Sequence, residues 1–261
     1  MSKFMGSKTM RAVVSAGMLA VLAACGGGGG GDGVGTSVSV SGTAARGAAL
    51  GPNAAVRLTC ANGAVLTGTT DSGGKYTSSL TTITYPCVGS ATLGSISYRG
   101  VLAKGTTANF TPLTDLLVEA MLAASSSGSA ALTLDQFIAK IRSDFTFAAS
   151  VSSDASMAGY RAAALAVAKA ALIASGMSEA EANATLAAAA GVNFEAVLFG
   201  IGSPLDLVLD NTAFVLLTNG VVKSSILSSA KAAGDALPTP TSGGTGGTGG
   251  TGGTGGSGSG S

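Results

Sequence analysis

From about Thr36 to Lys104 the chain alternates small polar and apolar residues in short runs. "SVSVSG" interleaves Ser with Val38 and Val40, and "AAVRLTC" places Val56, Leu58 and Cys60 on one face. "ITYPCV" does the same with Ile83, Tyr85 and Cys87. A period of two is strand language. Turn residues separate the runs: Gly51-Pro52-Asn53, Asn62-Gly63 and Asp71-Ser72-Gly73-Gly74. Six or seven short strands at this spacing predict a small β-sandwich over residues 36–108.

After Phe110 the period becomes helical. Thr111 is placed to cap a helix with Pro112 at its first position, and Leu113, Leu116, Leu117, Ala120 and Met121 form one apolar stripe. Thr133 with Gln136, and Ser178 with Glu181, have capping-box spacing. An Ala-rich helix is expected from about Met157 to Ala174, and Arg161 and Lys169 within it argue against a membrane span. Ser203-Pro204-Leu205-Asp206 repeats the Thr111 pattern and starts another helix. Asn219-Gly220 between two apolar runs predicts a hairpin. The fold class is therefore α+β, with helices and a closing hairpin over 109–237. The Gly, Thr and Ser tail over 238–261 is expected to be disordered.

The N-terminus carries a different pattern. Lys3, Lys8 and Arg11 precede an uncharged apolar run, Ala12 to Ala24, which reads as an export signal. It ends in Leu22-Ala23-Ala24-Cys25 and then six glycines, Gly26 to Gly31. The four residues resemble the lipobox of bacterial lipoproteins at every position. The resemblance implies cleavage before Cys25, a diacylglyceryl group on its sulfur and an acylated new N-terminus. Several acyl chains anchor stably where one does not. Residues 1–24 would be the signal peptide and 25–35 a flexible tether. Gly26 and Gly27 stand where an inner-membrane lipoprotein of Gram-negative bacteria carries Asp, which implies the outer membrane. The partner so implied is a membrane, reached through lipid.

Composition narrows the remaining classes. Charged residues make up only 10% of the 261, and there is no histidine. That excludes His-dependent nucleophilic mechanisms and His-ligated metals. Lys3, Lys8 and Arg11 are three of 14 basic residues, and the remaining eleven face 13 acidic ones. Such a balance offers no nucleic-acid footprint. No cofactor or metal site is expected. With Cys25 lipidated, Cys60 and Cys87 remain, and an exported pair on neighbouring strand patterns predicts a disulfide.

A second resemblance rests on Val40 with Gly42, Ala54 to Leu58 as Ala-x-Val-x-Leu, and Thr70-Asp71-x-x-Gly74-x-Tyr76. These motifs resemble the carboxypeptidase regulatory-like, transthyretin-type sandwich, which implies a non-catalytic module for display, adhesion or sugar contact. "NFTPLTDLL" is also similar to the junction between sandwich and helices in some proteobacterial lipoproteins.

Few residues invite chemistry. Asp115 and Glu119 share a helical face, where they form either a carboxylate pair for hydrolysis or the polar edge of a helix. Glu179 and Glu181 begin a helix, where acids favour the dipole, and Asp206 and Asp210 repeat that pattern. Asp71 could serve a calcium loop or simply cap a turn, and the single carboxylate favours the turn. Tyr76, Tyr85 and Tyr98 could form a sugar platform or fill the core, and without tryptophan the core is favoured. The composite expectation is a non-enzymatic, lipid-anchored envelope protein with a binding or scaffolding role. A glycan-binding or adhesin module and a carboxylate-only hydrolase are the alternatives.

Overall fold

A computed structural model describes residues 36–126 and 130–243 of the chain. The expected signal peptide, Cys25, the glycine tether and the repeats beyond residue 243 lie outside the described residues.

Eight short strands fill the first part: β1 (Thr36–Val38), β2 (Ser41–Thr43), β3 (Ala55–Cys60), β4 (Val65–Thr69), β5 (Lys75–Thr77), β6 (Thr81–Ile83), β7 (Cys87–Leu93) and β8 (Ile96–Leu102). An antiparallel sheet in the order β4-β3-β7-β8 forms one layer. The pairs β2-β5 and β1-β6 are separate small sheets, and Thr107 and Phe110 bridge alongside β2. Register aligns Val56, Ala91 and Tyr98 in one row and Leu58, Gly89 and Gly100 in the next. Glycine is needed at Gly100 because a Cβ there would come within 2.8 Å of the Phe110 ring. That ring lies over the sheet and tilts against Tyr76, with centroids 5.6 Å apart.

Ile83 and Cys87 do not share one strand. Chain pairing stops at Ile83, turns through a cis Tyr85-Pro86 bond, and resumes at Cys87. Pro86 has no N–H to give a ladder, so the break falls there. Cys87 then sits directly opposite Cys60, and the two form the expected disulfide.

The helices are α1 (Pro112–Ala124), α2 (Leu134–Ser143), α3 (Phe145–Val151), α4 (Asp154–Ala174), α5 (Glu179–Ala190), α6 (Pro204–Leu216) and α7 (Ser224–Asp235). Thr111 caps α1 as its sequence predicts, accepting from the Thr114 amide. Both expected capping boxes form, at Thr133 and Ser178. α4 begins three residues earlier than periodicity suggests because Ser153 caps it. By length and apolarity α4 could cross a membrane, yet Tyr160, Ala164, Ala168 and Leu172 are buried within the protein.

Two differences matter for everything below. α1 was expected to bury one stripe, but every residue in it except Glu119 is buried. It packs against β8, α4 and α7. At Gly234 of α7 a Cβ would lie 2.3 Å from the Ala120 carbonyl, so glycine permits the close crossing. The second difference is α7 itself, which follows the hairpin that was expected to end the fold. Its N-cap, Lys223, makes no side-chain cap bond, so the usual start signal is missing. The hairpin comprises β9 (Leu217–Thr218) and β10 (Val221–Val222), and Asn219 and Gly220 both take positive φ. Two positive values are what a type I′ turn demands. This hairpin joins no larger sheet, but the Tyr98 hydroxyl donates to the Gly220 carbonyl.

The described residues form one compact unit, so strands and helices share a core rather than forming two bodies. The first residues after α7 also make contacts. Pro240 is buried, the Thr241 amide donates to Ser150 Oγ at 2.9 Å, and the Gly243 amide donates to Asp144.

The disulfide spans 27 residues of sequence. Closing such a loop stabilises the fold by about 3.5 kcal/mol in the chain-entropy description. The double variant Cys60→Ala/Cys87→Ala should unfold in urea at a correspondingly lower midpoint, and reduction of the wild type should reproduce the shift. Identical midpoints for reduced and oxidised protein would show that the cross-link contributes nothing.

Candidate functional site

Asp115 and Glu119 do lie on one face of α1, and that face meets β8. Arg99 projects from β8 between them. Its Nε donates to Asp115 Oδ1 at 2.5 Å and its Nη1 to Glu119 Oε2 at 2.7 Å. The Arg99 amide also donates to Asp115 Oδ1, at 3.2 Å. Burial pushes the Asp115 carboxyl up, and the guanidinium pulls it back only in part. A hydrolase would need its two carboxyls facing each other across an open cleft. Here one cation occupies the space between them, and the arrangement clamps helix to sheet.

A second ion pair does similar work deeper in the helical part. Arg161 of α4 donates to Glu195 Oε1 at 2.6 Å, while Glu195 Oε2 is buried without a hydrogen-bond partner. Burial raises the Glu195 carboxyl, again against the pull of its arginine. The other acids singled out above serve local structure. Glu179 pairs with Lys169 on the surface, and Glu181 closes the Ser178 capping box. Asp206 is buried and accepts from the Gly202 amide at 2.8 Å, whereas Asp210 is exposed and lies against Gly47. Asp71 accepts from the amides of Gly73 and Lys75 at 2.8 and 2.9 Å, which is the turn-capping arrangement. Among the described residues no acid or cysteine cluster could hold a metal ion.

The tyrosines form no platform. Tyr76 and Tyr98 are buried in the core, and the half-buried Tyr85 donates to the Gly105 carbonyl at 2.6 Å.

The residue that sequence reasoning passed over is Asn109. It is fully buried, and its Oδ1 accepts from the Thr43 amide at 3.0 Å. Its Nδ2 donates to the carbonyls of Phe194 and Val197 at 2.9 and 2.7 Å. One side chain thus ties β2 to the loop after α5. A lone amide in "NFTP", two residues before a helix cap, was the available signal. Arg99 and Arg161 were equally visible as isolated cations in apolar runs, which call for a buried anion.

Where this loop meets the strands, an open cleft of about 520 Å³ forms. Ser41, Thr43, Lys75 and Thr77 line it from β2 and β5, and Leu198 and Phe199 from the loop. Thr43 Oγ1 donates to the Phe199 carbonyl at 2.9 Å, fixing loop to strand. Hydroxyls, one ammonium and an apolar wall suit binding. Comparisons with protein-family models, with curated proteins and with solved structures find no match to this chain.

Three variants test these roles. Asn109→Ala leaves one amide and two carbonyls without their partner and should cost about 3 kcal/mol of stability. Asn109→Asp keeps the shape but cannot donate as a carboxylate, so at neutral pH it should be no better than the alanine. An aspartate as stable as wild type in urea unfolding would refute the bridging role. Arg99→Met leaves Asp115 buried without a cation and should cost about 3 kcal/mol at pH 7. Its carboxyl then binds a proton more tightly folded than unfolded. The deficit should therefore be small near pH 4 and grow as pH rises from the unfolded value of about 3.9 through the raised folded one. A deficit independent of pH would mean that packing alone is lost.

Proposed function

We propose that the chain is a non-enzymatic, lipid-anchored protein of the bacterial cell envelope, addressed to the outer membrane, whose body serves in binding or scaffolding. The observation that carries the non-enzymatic part is the placement of Arg99. Asp115 and Glu119, the acids a carboxylate hydrolase would use, are both held by it, and removing it would unclamp α1 from β8. The anchoring part rests on Leu22-Ala23-Ala24-Cys25. A buried disulfide between β3 and β7 agrees with an oxidising compartment. The cleft over β2 and β5 keeps a glycan-binding or adhesin reading alongside, because hydroxyl-rich walls are suited to sugar contact.

Expression of the wild type and Cys25→Ser in a Gram-negative host tests the anchor. The wild type should carry acyl mass and sediment with outer membranes, and the variant should lack both. A soluble, unacylated wild type would overturn the address.

A further inference from the structure

The strand pair β2-β5 turns one polar face toward the cleft beside the loop after α5. Ser41 stands opposite Thr77 and Thr43 opposite Lys75. Residues two apart on a strand share a face, so these four side chains lie together. Tyr76 alternates with them and packs its buried ring against Phe110. The Ser41 amide donates to the Thr106 carbonyl, and its own carbonyl accepts from the Ala108 amide. Ser41 and Thr77 therefore form a non-hydrogen-bonded pair, the closer antiparallel arrangement, with Cα atoms about 4.5 Å apart. Lys75 is two residues along β5 from Thr77, about 7 Å. Its side chain covers that distance, so one ammonium and two hydroxyls come within reach of a single small group.

Those three groups are uncommitted. Thr43 Oγ1 is spent on the Phe199 carbonyl, but Ser41 Oγ, Thr77 Oγ1 and Lys75 Nζ make no hydrogen bond or ion pair among the described residues. Lys75 is also the only charged residue in the lining. The nearby acids point elsewhere. Asp71 takes the backbone amides of Gly73 and Lys75, and Asp206 is buried and takes the Gly202 amide. Across the cleft the wall is apolar, with Leu198 63% exposed. Asn109 holds the loop at Phe194 and Val197, and Thr43 holds it at Phe199, so the wall is fixed in advance of any ligand.

The occupant follows from what is left unspent. The cleft, about 520 Å³, has the size of a small-molecule site. One lysine balances one negative charge, and an ammonium flanked by two hydroxyls supplies donors for the two oxygens of a carboxylate. A phosphomonoester would leave its second charge unbalanced, and a nucleic acid needs a row of cations. A sugar held by stacking needs an exposed ring face, yet both rings of the lining, Tyr76 and Phe199, are buried. Leu198 opposite the donors calls for an apolar portion of the same molecule. We propose that this cleft binds a small monocarboxylate with an aliphatic body, its carboxylate at Lys75, Ser41 and Thr77 and its apolar part against Leu198. This deepens the reading of the body as a binding module and rests on it.

The test titrates the chain from Gly26 onward, which keeps every described residue and lacks Cys25, with octanoate while its amide resonances are followed by NMR. Saturable shifts should centre on Lys75, Thr77 and Leu198. Octanamide has the same length without the charge and should bind about ten-fold more weakly. Lys75→Met should weaken octanoate binding by about the same factor, and Leu198→Ser by about five-fold. Both side chains are exposed, so neither variant should alter the circular dichroism. Equal affinities for octanoate and octanamide, or an affinity unchanged by Lys75→Met, would overturn the proposal. So would unsaturable shifts that spread to Phe145 and Phe214, the mark of apolar adsorption. Saturable shifts in the cleft with lactose but not octanoate would overturn it in favour of the glycan reading. No shifts with either would remove both ligands from the cleft. Without Cys25 no outcome depends on acylation, which the fractionation of Cys25→Ser reads separately.

Discussion

A helix with no solvent-facing side has to be enclosed from every direction, and α1 imposes that requirement on the rest of the molecule. β8 covers one side, α4 and α7 the others. The enclosure explains features that would otherwise look unrelated. Gly234 is glycine because α7 crosses almost in contact with the Ala120 carbonyl. Arg99 stands in an apolar strand because the enclosed helix carries Asp115 and Glu119, and a buried carboxylate without a partner is far more costly than a paired one. Even the turn of chain at Phe110 belongs here, since Thr111 must cap α1 at the point where the sheet ends.

Asn109 sits two residues before that cap and binds in the other direction, toward the loop after α5. Together with the Thr43–Phe199 bond it makes the first strands and the later helices interdependent. A division into sandwich and helical region describes the order of elements along the chain, while the core runs through both. The cleft over β2 and β5 is a by-product of this seam, bounded on one side by strands and on the other by the loop that Asn109 holds.

What could be read from sequence follows from how local each signal is. The helix caps at Thr111, Thr133, Ser178 and Ser203, the Asn219-Gly220 turn and the Asp71 turn depend on a few adjacent residues, and all appear as expected. Cys60 and Cys87 could be paired because few cysteines were left to choose from. Periodicity, in contrast, ranks the faces of a helix but does not say whether the least apolar face is also covered. In α1 the covered face mixes Val118 and Leu122 with Thr114 and the ion-paired Asp115, so the polar pair looks like a surface edge in one dimension. α7 is rich in Ser and Ala and lacks a cap, so its burial of Ala230 and Gly234 carries little periodic contrast. The roles of Arg99 and Asn109 depend on partners far along the chain, and no local pattern reports those.

The distance in sequence between α1 and α7 sets an order of events during synthesis. Until residues 224–235 have been made, α1 has one flank open and its alanines and leucines meet water. A nascent chain stopped short of that point cannot close its interior, however well its strands have paired. Completion of the fold therefore waits for the residues of α7 to be made. A product lacking the last helix would expose a groove the length of α1, the kind of surface that chaperones hold and proteases find.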